Sequence, residues 1–90
     1  MLTVVRSARF DKDLRLAERQ RKDLQKLEAV VVLLANEQPL PERFRDHPLK
    51  GDWVHFRDCH IEPDWLLIYR VDKKEKTLYL ARIGTHADLY

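Results

Sequence analysis

Three of the four histidines in this chain occupy places where a folded scaffold commonly holds reactive groups. His47 lies in the segment DHPL at 46–49, His60 stands shortly before a Pro-Asp turn, and His86 follows the last apolar run. Loops at strand ends carry a large share of catalytic residues, and imidazole is the side chain best matched to proton transfer near neutral pH. His55 falls within a predicted strand, and we assign it no role.

Histidines together with a carboxylate are sufficient to cleave RNA without a metal. A general base removes the proton of a 2′-hydroxyl, which attacks the adjacent phosphate, and a general acid protonates the leaving 5′-oxygen, while a cation stabilises the phosphoryl charge. Asp64 could orient one imidazole or stabilise its positive charge, and Trp65 and Tyr90 offer faces on which an unstacked base could lie. The predicted catalytic residues are His47, His60, Asp64 and His86.

Each of these residues also has a purely structural interpretation. A single loop histidine is usually a surface polar group, Trp65 opens an apolar segment and could belong to the core, and Tyr90 could be a frayed terminus. A zinc site is a further alternative, built from His47, His60, Asp64 and His86, although no His-x-x-His or Cys-x-x-Cys spacing supports it. We therefore expect neither a metal nor a cofactor.

The elements that must position these residues begin with a strand and two helices. Residues 2–6 are a short β-branched run typical of a strand, and Ser7 is placed to cap a helix. Phe10, Leu14 and Ala17 give that helix one apolar face, and its opposite face is basic, with Lys12, Arg15, Arg19 and Lys22.

A second helix is predicted to begin after Asp23. Its apolar residues recur at helical spacing, and Pro39 and Pro41 end the helical region because proline lacks the amide donor. No glycine or proline separates the two helices, so one long bent helix is the alternative to a hairpin. The predicted buried stripe consists of Leu24, Leu27, Val31 and Leu34.

The second half of the chain changes to a strand pattern. Residues 53–61, 65–71 and 77–83 are rich in aromatic and branched side chains, and short turns separate them, which favours an antiparallel meander. The predicted order is β-α-α-β-β-β, an α+β fold with the two N-terminal helices packed on one face of an antiparallel sheet. The other face of the sheet is expected to be free for substrate.

Length and composition limit the class of protein. Ninety residues allow one domain, which we expect to span 1–90, and the net charge is only +2 although 36% of residues are charged. A single cysteine excludes an intramolecular disulfide and suits a reducing compartment. The longest apolar run, 29–35, is too short for a membrane helix. We expect a soluble, cytoplasmic protein with no membrane partner.

Three segments taken together resemble a known family. They are DHPLKG at 46–51, RDCHIEPDWLLIY at 57–69 and GTHADLY at 84–90, and they are similar to the YafQ branch of the RelE superfamily. The proteins of that branch are toxins of type II toxin–antitoxin pairs. The combination of segments is specific, and the chain length and amphipathic front half also agree with it.

This resemblance implies a RelE-like fold and a ribosome-dependent mRNA endonuclease, an mRNA interferase, that a cognate antitoxin holds inactive. In the family, the histidine matching His86 is the leading general acid or base, those matching His47 and His60 share proton transfer and phosphate binding, and the aspartate matching Asp64 is at the site. The predicted partners are the antitoxin, the ribosome with its rRNA, and mRNA, and DNA is contacted only through the antitoxin complex. The predicted RNA-binding residues are Lys50, Arg57, Trp65 and Tyr90, the last replacing the usual Phe.

Two rival functions and one electrostatic hypothesis complete the predictions. A ParE-like toxin shares the fold but acts on DNA gyrase, and a non-catalytic RNA- or antitoxin-binding module would keep the fold without the chemistry. We expect the basic face of the first helix and several cleft cations to attract both rRNA and an acidic antitoxin segment. The cleft cations are Lys50, Arg57, Arg70 and Arg82.

Overall fold

The first half of the chain folds as a strand followed by two helices, as the apolar spacing predicts. In the computed structural model, which describes residues 1–90, β1 spans Thr3–Arg6, α1 spans Ala8–Arg19 and α2 spans Leu24–Ala35. Ser7 caps α1 by accepting a hydrogen bond from the amide of Phe10, and Asp23 caps α2. The helices are separate because Arg21, between them, has a φ of 57°, which no α-helix accommodates. No helix has the length and apolar character needed to cross a membrane.

The second half contains the predicted antiparallel meander. Its strands are β3 (Arg57–Glu62), β4 (Trp65–Asp72) and β5 (Thr77–Gly84). β4 pairs with both neighbours in the antiparallel sense, and a bulge interrupts its pairing with β5 after Ile68. The first of these strands was predicted to begin at Trp53, but Gly51–Trp53 forms a 3-10 turn and the strand begins at Arg57.

The structure adds two short elements and one parallel pairing to the predicted order. β2 is the two-residue strand His47–Pro48, and α3 is the C-terminal turn of helix His86–Leu89. The sheet order is β1-β5-β4-β3-β2, in which β1 runs parallel to β5. Parallel neighbours need a long connection between them, and here the whole chain from α1 to β4 serves as that connection. The sheet is therefore mixed.

Both faces of the sheet carry packed apolar side chains. The main core lies under α1 and α2 and includes Phe10, Val30, Leu67 and Leu80, all at most 2% exposed. A smaller cluster occupies the opposite face, where Leu66, Ile68, Ala81 and Leu89 are buried and Leu49, Trp53, Phe56 and Tyr79 pack against them. The expectation of a free second face was thus wrong over most of the sheet, because the loop 49–56 and α3 cover it. What remains open is the end of that face near His60.

Candidate active site

The three histidines selected from the sequence meet at one end of the sheet. The ring centroids of His47 and His60 are 6.5 Å apart, and those of His60 and His86 are 5.5 Å apart. His60 is partly exposed and the other two are exposed. Side chains that are far apart in the sequence therefore form one row of imidazoles that solvent can reach.

Strand register produces this convergence. His47 in β2 lies opposite Asp58 in β3, two residues before His60. His60 lies opposite Leu66 in β4, and Leu66 lies opposite Gly84 at the end of β5. A straight line across three strands thus connects His60 to the residue two positions before His86. Because alternate residues of a strand point to opposite faces, His60 points away from α1 and α2, on the face where α3 packs.

α3 is held close to the sheet by its own sequence. Thr85 caps it, since its hydroxyl accepts from the amide of Asp88 while the Asp88 carboxylate accepts from the amide of Thr85. Leu89 is buried in the smaller cluster. A Cβ atom added at Gly84 would come within 3.1 Å of the Asp88 Cβ atom, so a larger residue there would press α3 away from the strand by a few tenths of an ångström. These contacts fix His86 at the first position of α3.

Each of the three imidazoles has its Nδ1 atom next to a protein acceptor. In His47, Nδ1 lies 2.8 Å from the carbonyl oxygen of Arg45, and in His60 it lies 3.2 Å from that of Pro63. In His86 it lies 2.9 Å from Asp64 Oδ1. An acceptor at Nδ1 favours the tautomer that carries its proton there. In the neutral rings the Nε2 atoms are therefore left as bases, free to exchange protons with a substrate.

Asp64 holds His86 by two hydrogen bonds to a single oxygen. The backbone amide of His86 donates to Asp64 Oδ1 at 3.0 Å, and the ring Nδ1 lies 2.9 Å from the same atom. These contacts, led by the one to the backbone amide, keep the pKa of Asp64 below its ordinary value. An ionised carboxylate beside the ring stabilises the positive charge that the imidazole gains when it takes up a proton.

Tyr90 extends the row of rings and is tied to the sheet. Its ring centroid lies 6.3 Å from that of His86, and its hydroxyl donates to Asp58 Oδ2 at 2.7 Å. The residue is 57% exposed, so an aromatic face remains accessible. Tyr90 is therefore anchored rather than frayed.

Comparison with known proteins agrees with these segments and this fold. Residues 2–90 match a family model described as a bacterial toxin of type II toxin–antitoxin system, YafQ. The chain belongs to this family. It is 46% identical over 85 residues to the mRNA interferase toxin YafQ of Escherichia coli, which covers 93% of this chain and 90% of that protein.

Two solved structures show how closely the family fold is kept. A metal-bound toxin from Helicobacter pylori superposes with a TM-score of 0.95 at 49% identity, with 100% of both chains covered. The Escherichia coli DinJ–YafQ toxin–antitoxin complex matches with a TM-score of 0.88 at 43% identity, covering 99% of this chain and 97% of that one. The α+β fold predicted from the sequence is therefore confirmed.

Two of the four residues selected for RNA binding lie on the wrong side of the sheet. Trp65 is 2% exposed and packs in the core under the helices, so its ring has no free face for a base. Arg57 points to that same helix face and donates from Nε and Nη2 to the carboxylate of Asp46, at 3.1 and 3.3 Å. Strand alternation turns both side chains away from the histidines, so neither adjoins the row of imidazoles, and their role in RNA binding stays a prediction.

The other cations selected from the sequence also differ in their surroundings. Lys50 is exposed and forms no ion pair, so it remains available to an anionic ligand. Arg82 is mostly buried in a bidentate pair with Asp13 of α1. Arg70 lies over the rings of Phe56 and Tyr79. Fewer of these cations are therefore available to an anionic ligand than the sequence suggests.

The zinc-site alternative lacks a ligand set in this structure. No group of three or more His, Cys, Asp or Glu side chains is arranged to hold a metal ion. Cys59, the single cysteine, is fully buried in the main core. Burial raises the pKa of its thiol, which makes the cysteine a poor ligand and a poor nucleophile.

Sequence reasoning left one residue of the site without a role. Asp58 is the only buried charged residue of the chain, at 2% exposure. The sequence did contain a signal, because Asp58 and His60 are two apart on one strand and so must share a face. That signal identifies a face and does not identify a partner.

Proposed function

We propose that this chain is an mRNA interferase, the toxin of a type II toxin–antitoxin pair, which cleaves mRNA on the ribosome by metal-independent acid–base catalysis. The observation that carries the proposal is the exposed row of three imidazoles, each with Nδ1 next to an acceptor and Nε2 free. The mRNA interferase YafQ of Escherichia coli, at 46% identity, supports the choice of RNA as the substrate. We further propose that residues 1–90 form one toxin domain.

The proposed reaction needs only proton transfers and charge stabilisation. One Nε2 atom removes the proton of the 2′-hydroxyl, the 2′-oxygen forms a bond to phosphorus, and the bond from phosphorus to the 5′-oxygen breaks. An imidazolium gives its proton to that leaving oxygen. The products are a 2′,3′-cyclic phosphate and a 5′-hydroxyl, so end-group analysis of the fragments tests the chemistry directly.

Asp64 suits His86 for a role in which the ring carries charge. The carboxylate stabilises an imidazolium at His86, either as the acid that protonates the 5′-oxygen or after the ring has acted as base. His47 and His60 are bound to backbone carbonyls at Nδ1, and we assign to them the complementary proton transfer and contacts with the phosphoryl oxygens. Tyr90 is proposed to stack on a base beside the cleaved bond.

The RNA backbone is proposed to continue over the groove between α1 and the end of β5. This groove has a volume of about 260 Å³, and three of its side chains, Arg9, Lys12 and Arg19, are cations that take part in no ion pair. With Lys50 we propose them as RNA-binding cations, and the edge of the mostly buried Trp65 lines the same groove. Replacing Lys12 and Arg19 with Gln should weaken ribosome binding and flatten its salt dependence. Lys74→Gln, in the distant turn between β4 and β5, is the matched control.

The proposed partners follow from the same site. The ribosome supplies rRNA and mRNA, which places the protein in the cytoplasm and away from membranes. A cognate antitoxin is proposed to hold the toxin inactive, as the DinJ–YafQ toxin–antitoxin complex of a relative suggests. DNA is proposed to be contacted only through the antitoxin complex.

Induction of the chain in growing cells tests this function. We expect growth arrest with new cuts in a reporter mRNA, mapped by primer extension, and we expect both to disappear in His86→Ala. The control is His55→Asn, which changes an exposed histidine outside the row, at a φ of 76° that asparagine tolerates. Arrest without cuts would favour a gyrase poison, and no arrest would favour a binding-only protein. Cuts that persist in His86→Ala would remove His86 from the mechanism.

A further inference from the structure

A carboxylate lies buried beneath the row of rings and contacts both of its ends. Asp58 Oδ2 accepts a hydrogen bond of 2.7 Å from the Tyr90 hydroxyl, and Oδ1 lies 3.2 Å from Nδ1 of His47. Oδ1 accepts no hydrogen bond, so its contact with the His47 ring is electrostatic. A carboxylate removed from water is costly unless its oxygens accept hydrogen bonds, so a buried Oδ1 that is left without one next to an imidazole calls for a functional explanation.

The two groups that Asp58 contacts belong to different ends of the site. His47 lies in β2, next to β3, whereas Tyr90 follows α3, which packs near the end of β5. His47, His60, His86 and Tyr90 form a row with successive centroid distances of 6.5, 5.5 and 6.3 Å. Asp58 connects the first ring of this row to the last. The rings at the two ends of the row are thus held by the same carboxylate.

Nδ1 of His47 lies near two oxygen atoms but forms a hydrogen bond with only one of them. The Arg45 carbonyl is the nearer at 2.8 Å, but Arg45 itself has a strained backbone with a φ of 48°. Asp58 is fixed in the middle of the sheet, opposite His47 on one side and Ile68 on the other. The strand pairing of β3 therefore holds the carboxylate beside the His47 ring, which it meets through its charge.

We propose that Asp58 is a positioning residue of the active site, which orients the His47 ring through Nδ1 and docks the end of α3 through the Tyr90 hydroxyl. This inference rests on the proposed ribonuclease function. Asp58 touches no reacting atom and acts through its two neighbours. The hydrogen bond to Asp58 depends on the tyrosine of the present sequence, because a phenylalanine at position 90 would have no hydroxyl to donate it.

Asp58→Asn tests the proposal, because it removes the charge and keeps the shape. In single-turnover cleavage of ribosome-bound mRNA we expect a rate on the order of tenfold lower, because the His47 ring loses the neighbouring charge and the Tyr90 hydroxyl is left with a neutral acceptor. The affinity for the ribosome should be unchanged. Tyr90→Phe removes only the hydrogen bond from the Tyr90 hydroxyl to Asp58. It should lower the rate about threefold, which is half of the tenfold effect on a logarithmic scale. The control is Asp52→Asn, which should cut at the parent rate. Asp52 is an exposed aspartate in the loop 49–56, which covers the same face of the sheet.

Two measurements on the free protein separate positioning from a general loss of structure. The NMR signals of the His47 ring should move in Asp58→Asn, because the charge 3.2 Å from Nδ1 is removed. Burial and then the hydrogen bond to Asp58 raise the pKa of Tyr90 above its ordinary value, so its titration should move to lower pH in Asp58→Asn. Neither signal should move in Asp52→Asn.

The outcomes distinguish this inference from the proposed function. A reduced rate, together with a moved His47 signal and a moved Tyr90 titration, supports positioning by Asp58. An Asp58→Asn protein that cuts at the parent rate overturns it, and so does a reduced rate without movement of either signal. If the parent chain cuts no RNA, the proposed function fails. In that case, unchanged His47 and Tyr90 signals in Asp58→Asn would also overturn the positioning of these residues by Asp58. Moved signals would support it.

Discussion

The ion pair between Asp13 and Arg82 offers a sharp test of how the histidine-bearing end of β5 is held. Asp13, on α1, accepts from Arg82 Nε at 2.8 Å and Nη2 at 3.0 Å, and its Oδ2 also accepts from the amide of Ile83 at 3.1 Å. The side chains are only 15% and 10% exposed for Arg82 and Asp13. This cluster joins α1 to the strand three residues before His86.

Asp13→Ala should be costly because it leaves three mostly buried N–H donors without an acceptor. Removing one partner of a buried ion pair typically costs about 3–5 kcal/mol, and the residual exposure of this pair places the expected loss near the lower end. For a domain of this size, a loss of about 3 kcal/mol corresponds to a fall in Tm of roughly 12–24 °C. That is a large fraction of the about 5–15 kcal/mol by which such domains are stable.

Urea unfolding followed by circular dichroism measures this loss as a change in midpoint at constant slope. The control is Asp11→Ala, which breaks the Arg6–Asp11 pair at 3.1 Å, where the side chains are 54% and 38% exposed. That change should cost about 1 kcal/mol or less. The double replacement Asp13→Leu with Arg82→Leu should recover much of the loss, because no unpaired charge stays buried. Equal stability of Asp13→Ala and Asp11→Ala would refute the reasoning.

Three further predictions concern single contacts. Carboxyl NMR should find the pKa of Asp64 below its ordinary value, because the backbone amide and the ring of His86 lower it, and this pKa should rise in His86→Ala. Because the folded-state pKa is depressed, the pair stabilises the fold above the ordinary pKa of the carboxyl, and this contribution is lost as pH falls through the depressed pKa. An unchanged pKa in the variant would contradict the assignment. Ser7→Ala should cost about 1–2 kcal/mol in urea unfolding, since the hydroxyl caps α1 and also donates to the Ala81 carbonyl at 2.7 Å. A loss no greater than that of the exposed cap variant Asp23→Ala would show that the hydrogen bond to Ala81 is unimportant. Trp65→Ala should cost about 3–5 kcal/mol because the ring is 2% exposed, and a variant of parent stability with weaker RNA binding would restore the stacking role.

Much of the fold follows from signals that act over a few residues. Helical spacing placed α1 and α2, and the hydroxyl of Ser7 and carboxylate of Asp23 marked where they begin. Alternating branched and aromatic residues between short turns indicated the meander of β3, β4 and β5. These signals can be read from sequence because the hydrogen bonds concerned join residues at most four apart, or strands joined by a turn.

The remaining features depend on partners that are distant in the chain. β1 joins β5 in parallel, and no local pattern specifies which strand accepts an edge strand. α3 is one turn long and is stabilised by its packing on the sheet rather than by helix propensity. The placement of Trp65 and Arg57 on the helix-covered side followed from which strand face meets the helices, and the packing of the whole core determines that face.

The candidate site divides in the same way. The sequence by itself determined which reactive side chains exist, and it placed His47, His60 and His86 at the ends of strands or in loops, because residue type and local spacing are sufficient for that. Only the tertiary structure decided what each ring contacts: His86 meets Asp64 22 residues away, and Tyr90 meets Asp58 32 residues away. Those contacts fix tautomer and orientation, and they form only when strand register brings distant segments within the roughly 3 Å reach of a hydrogen bond.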